Sequence, residues 1–187
     1  MRHPRHSIHC RLATDSTPIV RRGLGGPPRP SPRKLQGLGF TLVQPTSVAT
    51  PTGAQKANLN APKKWCVAPL AEHDYIAATD LRSCTALAVY DPQTDIGGMY
   101  HFGGQFGDEH AELGAFFLQM THDGALLSRL VIFLSGSEKC AHAQKVVAFL
   151  NTNGMNQTPT ISEGAVSGNG ATTFYLLARG EVANTLT

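Results

Sequence analysis

Cys84 and His101 are the residues whose types and spacing most invite chemistry, in the stretch "DLRSCTALAVYDPQTDIGGMYHF" between Asp80 and Phe102. A cysteine attacks as its thiolate, so a nucleophilic role needs a base or a positive field beside it. Cys84 follows the polar, turn-like "TDLRS" and opens an apolar strand, and Arg82 would add positive field. If "CTALAVYD" and "IGGMYHF" pair antiparallel around "PQTD", Cys84 and His101 fall near the same end of the ladder. The competing reading is a packing thiol, since cysteine is among the most buried residue types.

Other candidates are weaker. His101, His110 and His122 lie near Asp108 and Glu109, but their spacings fit no standard zinc pattern. His73, His110 and His122 read as surface residues flanking elements. Cys140 stands at the start of a helix, whose dipole favours a thiolate, yet no base is evident beside it, and packing is expected. "GGQFG" and "GNG" lack the context of a phosphate loop and read as turns. Neither a metal nor an organic cofactor is expected.

These residues must be positioned by a folded part smaller than the chain. Of 187 residues, the first 65 hold eleven of the sixteen Lys and Arg and one acid, Asp15. Residues 66–187 hold five bases and twelve acids, so the net +3 describes neither part. The first part also carries most of the prolines, as in "GGPPRPSPRK", and no sustained apolar period. Such a segment buries too little apolar surface to offset its ordering entropy. Residues 1–65 are therefore expected to be a disordered basic tail, and residues 66–187 the domain. No apolar stretch reaches membrane-spanning length, and the N-terminus lacks a signal-peptide core. Four cysteines without a C-x-x-C pair suit reduced thiols, and a cytoplasmic setting is expected.

Within the domain, "HDYIAATDL", "CTALAVYD" and "IGGMYHF" read as strands, the last with glycines that let backbone approach closely. Leu113, Phe116, Phe117 and Met120 mark one face of a helix that "HDGA" ends. "SRLVIFLSG" is a nearly continuous apolar strand of the kind buried on both faces. Ser135 and Glu138 resemble a capping box before a second helix, with Ala143, Val146, Val147 and Leu150 on its apolar face and "NTNG" at its end. A weak strand near Thr160–Ile161 and the strand "TTFYLLA" follow. The order is β-β-β-α-β-α-β-β. The fold class expected is α+β, a two-layer arrangement of two helices on a mixed sheet.

In "RSCTALAVYDPQTDIGGMYHF" the chain resembles the chemoreceptor glutamine deamidases (CheD). The shared features are the cysteine at a strand entry, the Tyr-Asp turn, the "GG-x-x-His-Phe" strand and the seventeen-residue Cys-to-His spacing. "HDGA", "LSRLVIFLSG", "NTNG" and "GNGATTFYLLARGEV" follow in the family's order, so the resemblance covers roughly residues 66–183. It implies the CheD-like fold, shared in its catalytic core with deamidase toxins of the cytotoxic-necrotizing-factor type. It also implies a protein-glutamine amidohydrolase working through a thioester on Cys84, with His101 as base. Backbone N–H groups around Ser83 and Cys84 would hold the oxyanion, and Thr79 or Asp80 would orient the imidazole. The implied partners are a protein bearing a glutamine, such as a chemoreceptor helix, and a chemotaxis phosphatase; no nucleic acid is expected for the domain.

Departures bear on each point. Arg82 replaces a glycine usual in the family, and "GGQFG" replaces its "Met-Leu-Pro". The threonine expected six residues before the cysteine is Ala78, and Thr79 lies five before. On a strand, that slip turns a side chain to the other face unless a bulge restores it. An exported deamidase effector acting on a host protein and a catalytically weak binding module in chemotaxis signalling are the alternative readings.

Overall fold

The computed structural model describes residues 9–11, 41–43, 47–62, 64–82, 84–103, 109–136, 139–155, 160–162 and 172–187. Its strands are β1 (His9–Arg11), β2 (Thr41–Val43), β3 (Ser47–Val48), β4 (Gln55–Leu59), β5 (Lys64–Pro69), β6 (Tyr75–Ala78), β7 (Thr85–Asp91) and β8 (Ile96–Phe102), followed by β9 (Val131–Gly136), β10 (Thr160–Ser162), β11 (Phe174–Leu177), β12 (Val182–Ala183) and β13 (Thr185–Leu186). Two helices, α1 (Glu109–His122) and α2 (Lys139–Thr152), flank β9. The fold is α+β, with both helices packed on a mixed sheet.

The larger sheet runs β1-β5-β8-β7-β9-β10-β2, antiparallel at its centre and parallel where β10 joins β9 and β2. β7 and β8 form the expected hairpin, with Thr85 opposite Phe102, Ala86 opposite His101 and Asp91 opposite Ile96. One face of this sheet carries large side chains. Trp65, Leu87, Tyr100, Phe102 and Leu134 pack against Leu113, Phe116, Phe117 and Met120 of α1 and Val146 and Leu150 of α2. The spacing read for α1 is thus its buried face, and Val146 and Leu150 of the α2 set are buried too. Gly98 explains how α1 comes so close. A Cβ there would sit 2.8 Å from both the Met120 sulfur and the Phe116 ring.

The helix ends also follow the sequence. Gly124 and Gly154 adopt positive φ, and Met155 N–H returns to the Leu150 carbonyl at 2.8 Å. Ser135 departs from expectation. It is a buried residue of β9, and its hydroxyl accepts from Asn184 Nδ2 at 3.2 Å, so it does not cap α2. Glu138, its supposed partner, is outside the described residues.

The other face of the large sheet carries small side chains, Ala68, Ala86 and Ala88 with Cys66 and Cys84. Small residues let a second sheet lie against it, ordered β12-β11-β6-β4, which contributes Leu59, Ile76, Ala78, Phe174 and Leu176 to the shared core. This added layer draws on the segment expected to be a tail, and the boundary at residue 66 moves accordingly. β4 pairs parallel with β6, β1 pairs with β5, and β3 pairs with β13. Polar and backbone bonds hold β4. The Asp74 carboxylate accepts from Ala54 N–H at 2.8 Å and meets Lys56 Nζ at 2.7 Å. A strand held in this way buries only Leu59 fully, with Ala57 partly buried beside it, too little to stand out as an apolar period. β5, between β1 and β8, also went unread in the sequence as a strand. Its buried residues run only from Trp65 to Ala68, too short an apolar run for periodicity to mark a strand.

Candidate functional site

The hairpin register decides what Cys84 and His101 can do together. Side chains alternate across a strand, so Cys84 and Ala86 share a face, and His101 lies opposite Ala86. Cys84, one residue before the ladder, is then diagonal to His101, a relation of about 7–8 Å that long side chains can bridge. Both residues are buried toward the small sheet, with exposures of 8% for Cys84 and 1% for His101. The segment leading into Cys84 is pinned to the strand region before β11. Leu81 N–H donates to the Thr172 carbonyl at 3.0 Å, and the Thr172 hydroxyl donates to the Leu81 carbonyl at 3.2 Å.

The imidazole is oriented by backbone. His101 Nδ1 lies 2.8 Å from the Leu59 carbonyl. A carbonyl only accepts, so Nδ1 carries the proton and Nε2 keeps its lone pair. Nε2 is buried and has no hydrogen-bond partner among the described residues. Burial lowers the His101 pKa below its ordinary 6.5, and Lys64 pushes the same way, while the Leu59 carbonyl and Asp80 oppose this less strongly. Burial thus favours the neutral ring, and the Leu59 carbonyl favours the tautomer a general base requires.

Of the predicted site residues, the fold brings Cys84 and His101 to one face and leaves the Thr79 side chain apart from them. Ile76 and Ala78 of β6 point into the core between the sheets. Thr79, one position on, sends its hydroxyl to Asn58 Oδ1 at 2.9 Å. The register irregularity in this sheet lies in β4 between Gln55 and Ala57, so it does not turn Thr79 toward the imidazole. Asp80 is not the orienting group either. Its carboxylate accepts from Arg82 Nε at 2.8 Å, with both side chains more than half exposed. That ion pair engages the cation expected to act on the thiol. Ser83, expected to line the oxyanion site, lies outside the described residues.

The orienting carbonyl of Leu59 was missed because a main-chain group leaves no residue-type signal, and because it lies in the presumed tail. Glu109, weighed in the sequence only as a neighbour of the histidines, is fully buried and accepts from Gly103 N–H at 2.9 Å, tying the end of β8 to the start of α1. Among the described residues no group of three or more His, Cys, Asp and Glu is arranged to hold a metal ion. His122 sits 3.2 Å from Asp123, His110 packs edge-on against Phe149, and Asp108 is outside the described residues. Cys140 lies in the first turn of α2, and Cys66 is a core residue of β5. A cavity of about 440 Å³ lies elsewhere, between residues 48–52 and the side chains of Glu72, His73, Arg179 and Glu181.

No protein-family model matches the chain, and no curated protein matches it. Solved structures similar to parts of it include the three that follow. The hypothetical protein YfiH of Bacillus licheniformis is 17% identical with a TM-score of 0.28, over 44% of this chain and 32% of that one. YlmD from Geobacillus stearothermophilus is 17% identical with a TM-score of 0.31, over 60% and 40%. A DUF152 protein of Neisseria meningitidis is 12% identical with a TM-score of 0.35, over 74% and 71%. The chain thus spans less than half the length of the first two. None of the three is named as a glutamine deamidase. No helix among the described residues is long and apolar enough to cross a membrane.

Proposed function

We propose that the chain is a cysteine-dependent amidohydrolase that converts a glutamine side chain of a protein to glutamate. The supporting observation is the neutral, backbone-oriented His101, with Nε2 unspent on the face it shares with Cys84. In this reading Nε2 takes the Cys84 proton. The thiolate sulfur bonds to the carboxamide carbon, and the tetrahedral intermediate collapses with cleavage of the carbon–nitrogen bond. Ammonia leaves with the proton from the imidazolium. A water, deprotonated in turn by Nε2, attacks the thioester; the sulfur leaves and regains its proton, and the product is glutamate. The resemblance to CheD supplies the substrate class, a glutamine on a chemoreceptor-like helix.

The test is ammonia release from a chemoreceptor signalling fragment and from a reduced, glutamine-rich protein such as casein. Cys84→Ser and His101→Ala should each lower release by at least about 10³-fold, because nucleophile and base act as a unit. Cys140→Ser should leave turnover in place. Full activity in Cys84→Ser, or no release from either protein by the natural chain, rules the deamidase reading out and leaves a binding module.

A further inference from the structure

We propose that Asn58 and Thr79 are a positioning pair for the imidazole of His101, acting through the Leu59 carbonyl. The inference rests on the Cys84–His101 reading and extends the site into β4. Three bonds carry it. His101 Nδ1–H donates to the Leu59 oxygen at 2.8 Å, and Thr79 N–H donates to the same oxygen at 3.2 Å. The Thr79 hydroxyl donates to Asn58 Oδ1 at 2.9 Å, one residue before that carbonyl. A carbonyl oxygen has two lone pairs, and Leu59 spends one on the base and one on Thr79.

The placement of β4 makes this pair matter. Among the described strands, β4 lies at the sheet edge and pairs with β6. Its beginning is fixed by Asp74, through Ala54 N–H and Lys56. Its end, where the carbonyl meets the imidazole, is fixed by the buried Leu59 side chain and by Thr79. Leu59 burial sets the depth of the strand. The Asn58–Thr79 bond sets the rotation of the chain about it, and hence the direction of the carbonyl. A carbonyl turned away from Nδ1 releases the ring to rotate and to exchange tautomers, so that Nε2 no longer stands ready as base. Thr79 and Asn58 touch neither thiol nor ring; they act through main chain.

The test reads Cys84 alone, without any substrate. The full-length chain is treated with iodoacetamide between pH 5.5 and 9.5, and alkylation of the Cys84 peptide is followed by mass spectrometry. With His101 as proton acceptor, the natural chain should reach half its maximal rate at a lower pH than His101→Ala does. Thr79→Ala and Asn58→Ala should move that midpoint upward by about half a unit to one unit, a roughly threefold to tenfold loss of rate at pH 7. Thr79→Ser, which keeps the hydroxyl, should restore the natural profile. Thermal unfolding of each variant is measured in parallel, since a purely structural role would lower the melting temperature without moving the midpoint. If Thr79→Ala leaves the profile unchanged while His101→Ala shifts it, the positioning proposal is wrong and the catalytic pair stands. If His101→Ala also leaves the profile unchanged, the pair itself is wrong.

Discussion

The two ends of the β7–β8 hairpin use buried polar groups in opposite ways. At the turn end, the fully buried Asp91 accepts four bonds. Arg129 Nη2 approaches one oxygen at 2.6 Å and Nε the other at 3.2 Å, while Leu126 and Gln93 N–H groups add bonds at 2.9 and 3.0 Å. Burial alone would raise this carboxyl's pKa, but Arg129 and the two N–H groups outweigh it and hold the value at about 2. Beside it, the Tyr90 hydroxyl donates to Asp95, and burial together with that carboxylate pushes the phenol up to about 12. At the open end, among the described residues, His101 bonds through Nδ1 and leaves Nε2 without a partner. A saturated network locks a hairpin in register, whereas an unspent lone pair on an oriented ring is available for proton transfer. On the proposed function, stability lies at one end and reactivity at the other, some seven residues apart along each strand.

The strongest way to break that division is to cut the turn end. Arg129→Ala leaves the Asp91 carboxylate buried with its counter-ion gone, and removal of one partner from a buried pair costs about 3–5 kcal/mol. Urea denaturation at pH 7 should show that loss as a lower midpoint with an unchanged slope. The Cys84 alkylation profile should stay where it was. The sign with pH is fixed by the depressed value. Asp91 stabilises the natural fold above its ordinary 3.8, and this contribution fades as pH falls toward about 2. The gap between natural chain and variant should therefore close in acid. A shifted alkylation profile at neutral pH would show that the two ends are coupled.

A smaller effect is expected midway along the hairpin. Gly98→Ala places a methyl group 2.8 Å from the Phe116 ring and the Met120 sulfur. Phe116 is already wedged edge-on against Trp65, Tyr100 and Phe117, so it has little room to yield. Overpacking of this kind costs about 1–3 kcal/mol. A melting temperature equal to that of the natural chain would show that α1 can slide away, and that Gly98 does not set the helix–sheet distance.

The same contrast explains what could be read in advance. The α1 face, the hairpin and the Cys84–His101 end were legible because side-chain type and period carry them: Leu113, Phe116, Phe117 and Met120 recur on a helical period, and a two-residue strand period puts Cys84 and His101 on one face. The orientation of the imidazole was not legible. It depends on the carbonyl of Leu59, which any residue would supply, in a strand held by Asp74 and Lys56 and not by an apolar stripe. Thr79 shows the limit from the other direction. Its type suited a third catalytic member, but one position of offset sends its hydroxyl to Asn58.

The smallest effect tests whether His101 is held neutral. Its pKa is lowered in the folded chain by burial, with Lys64 adding to it. The unfolded chain therefore takes up a proton near the ordinary 6.5, while the folded chain takes it up at lower pH. Between those two values the unfolded state binds more protons, so stability rises with pH and falls as the solution is acidified. Between pH 7.5 and 5.5 this histidine contributes a loss of no more than about 1.4 kcal/mol, the full value for one group titrating in the unfolded state alone. Every other titrating group is common to the natural chain and His101→Ala, so the difference between their stability curves isolates the one ring. The natural chain should lose stability faster than His101→Ala as pH drops through that window, and the two slopes should agree above pH 7.5. Equal slopes throughout would mean that the folded ring protonates as readily as the unfolded one. Nε2 would then find water or a carboxylate on acidification, and the open end of the hairpin would be as well satisfied as the turn.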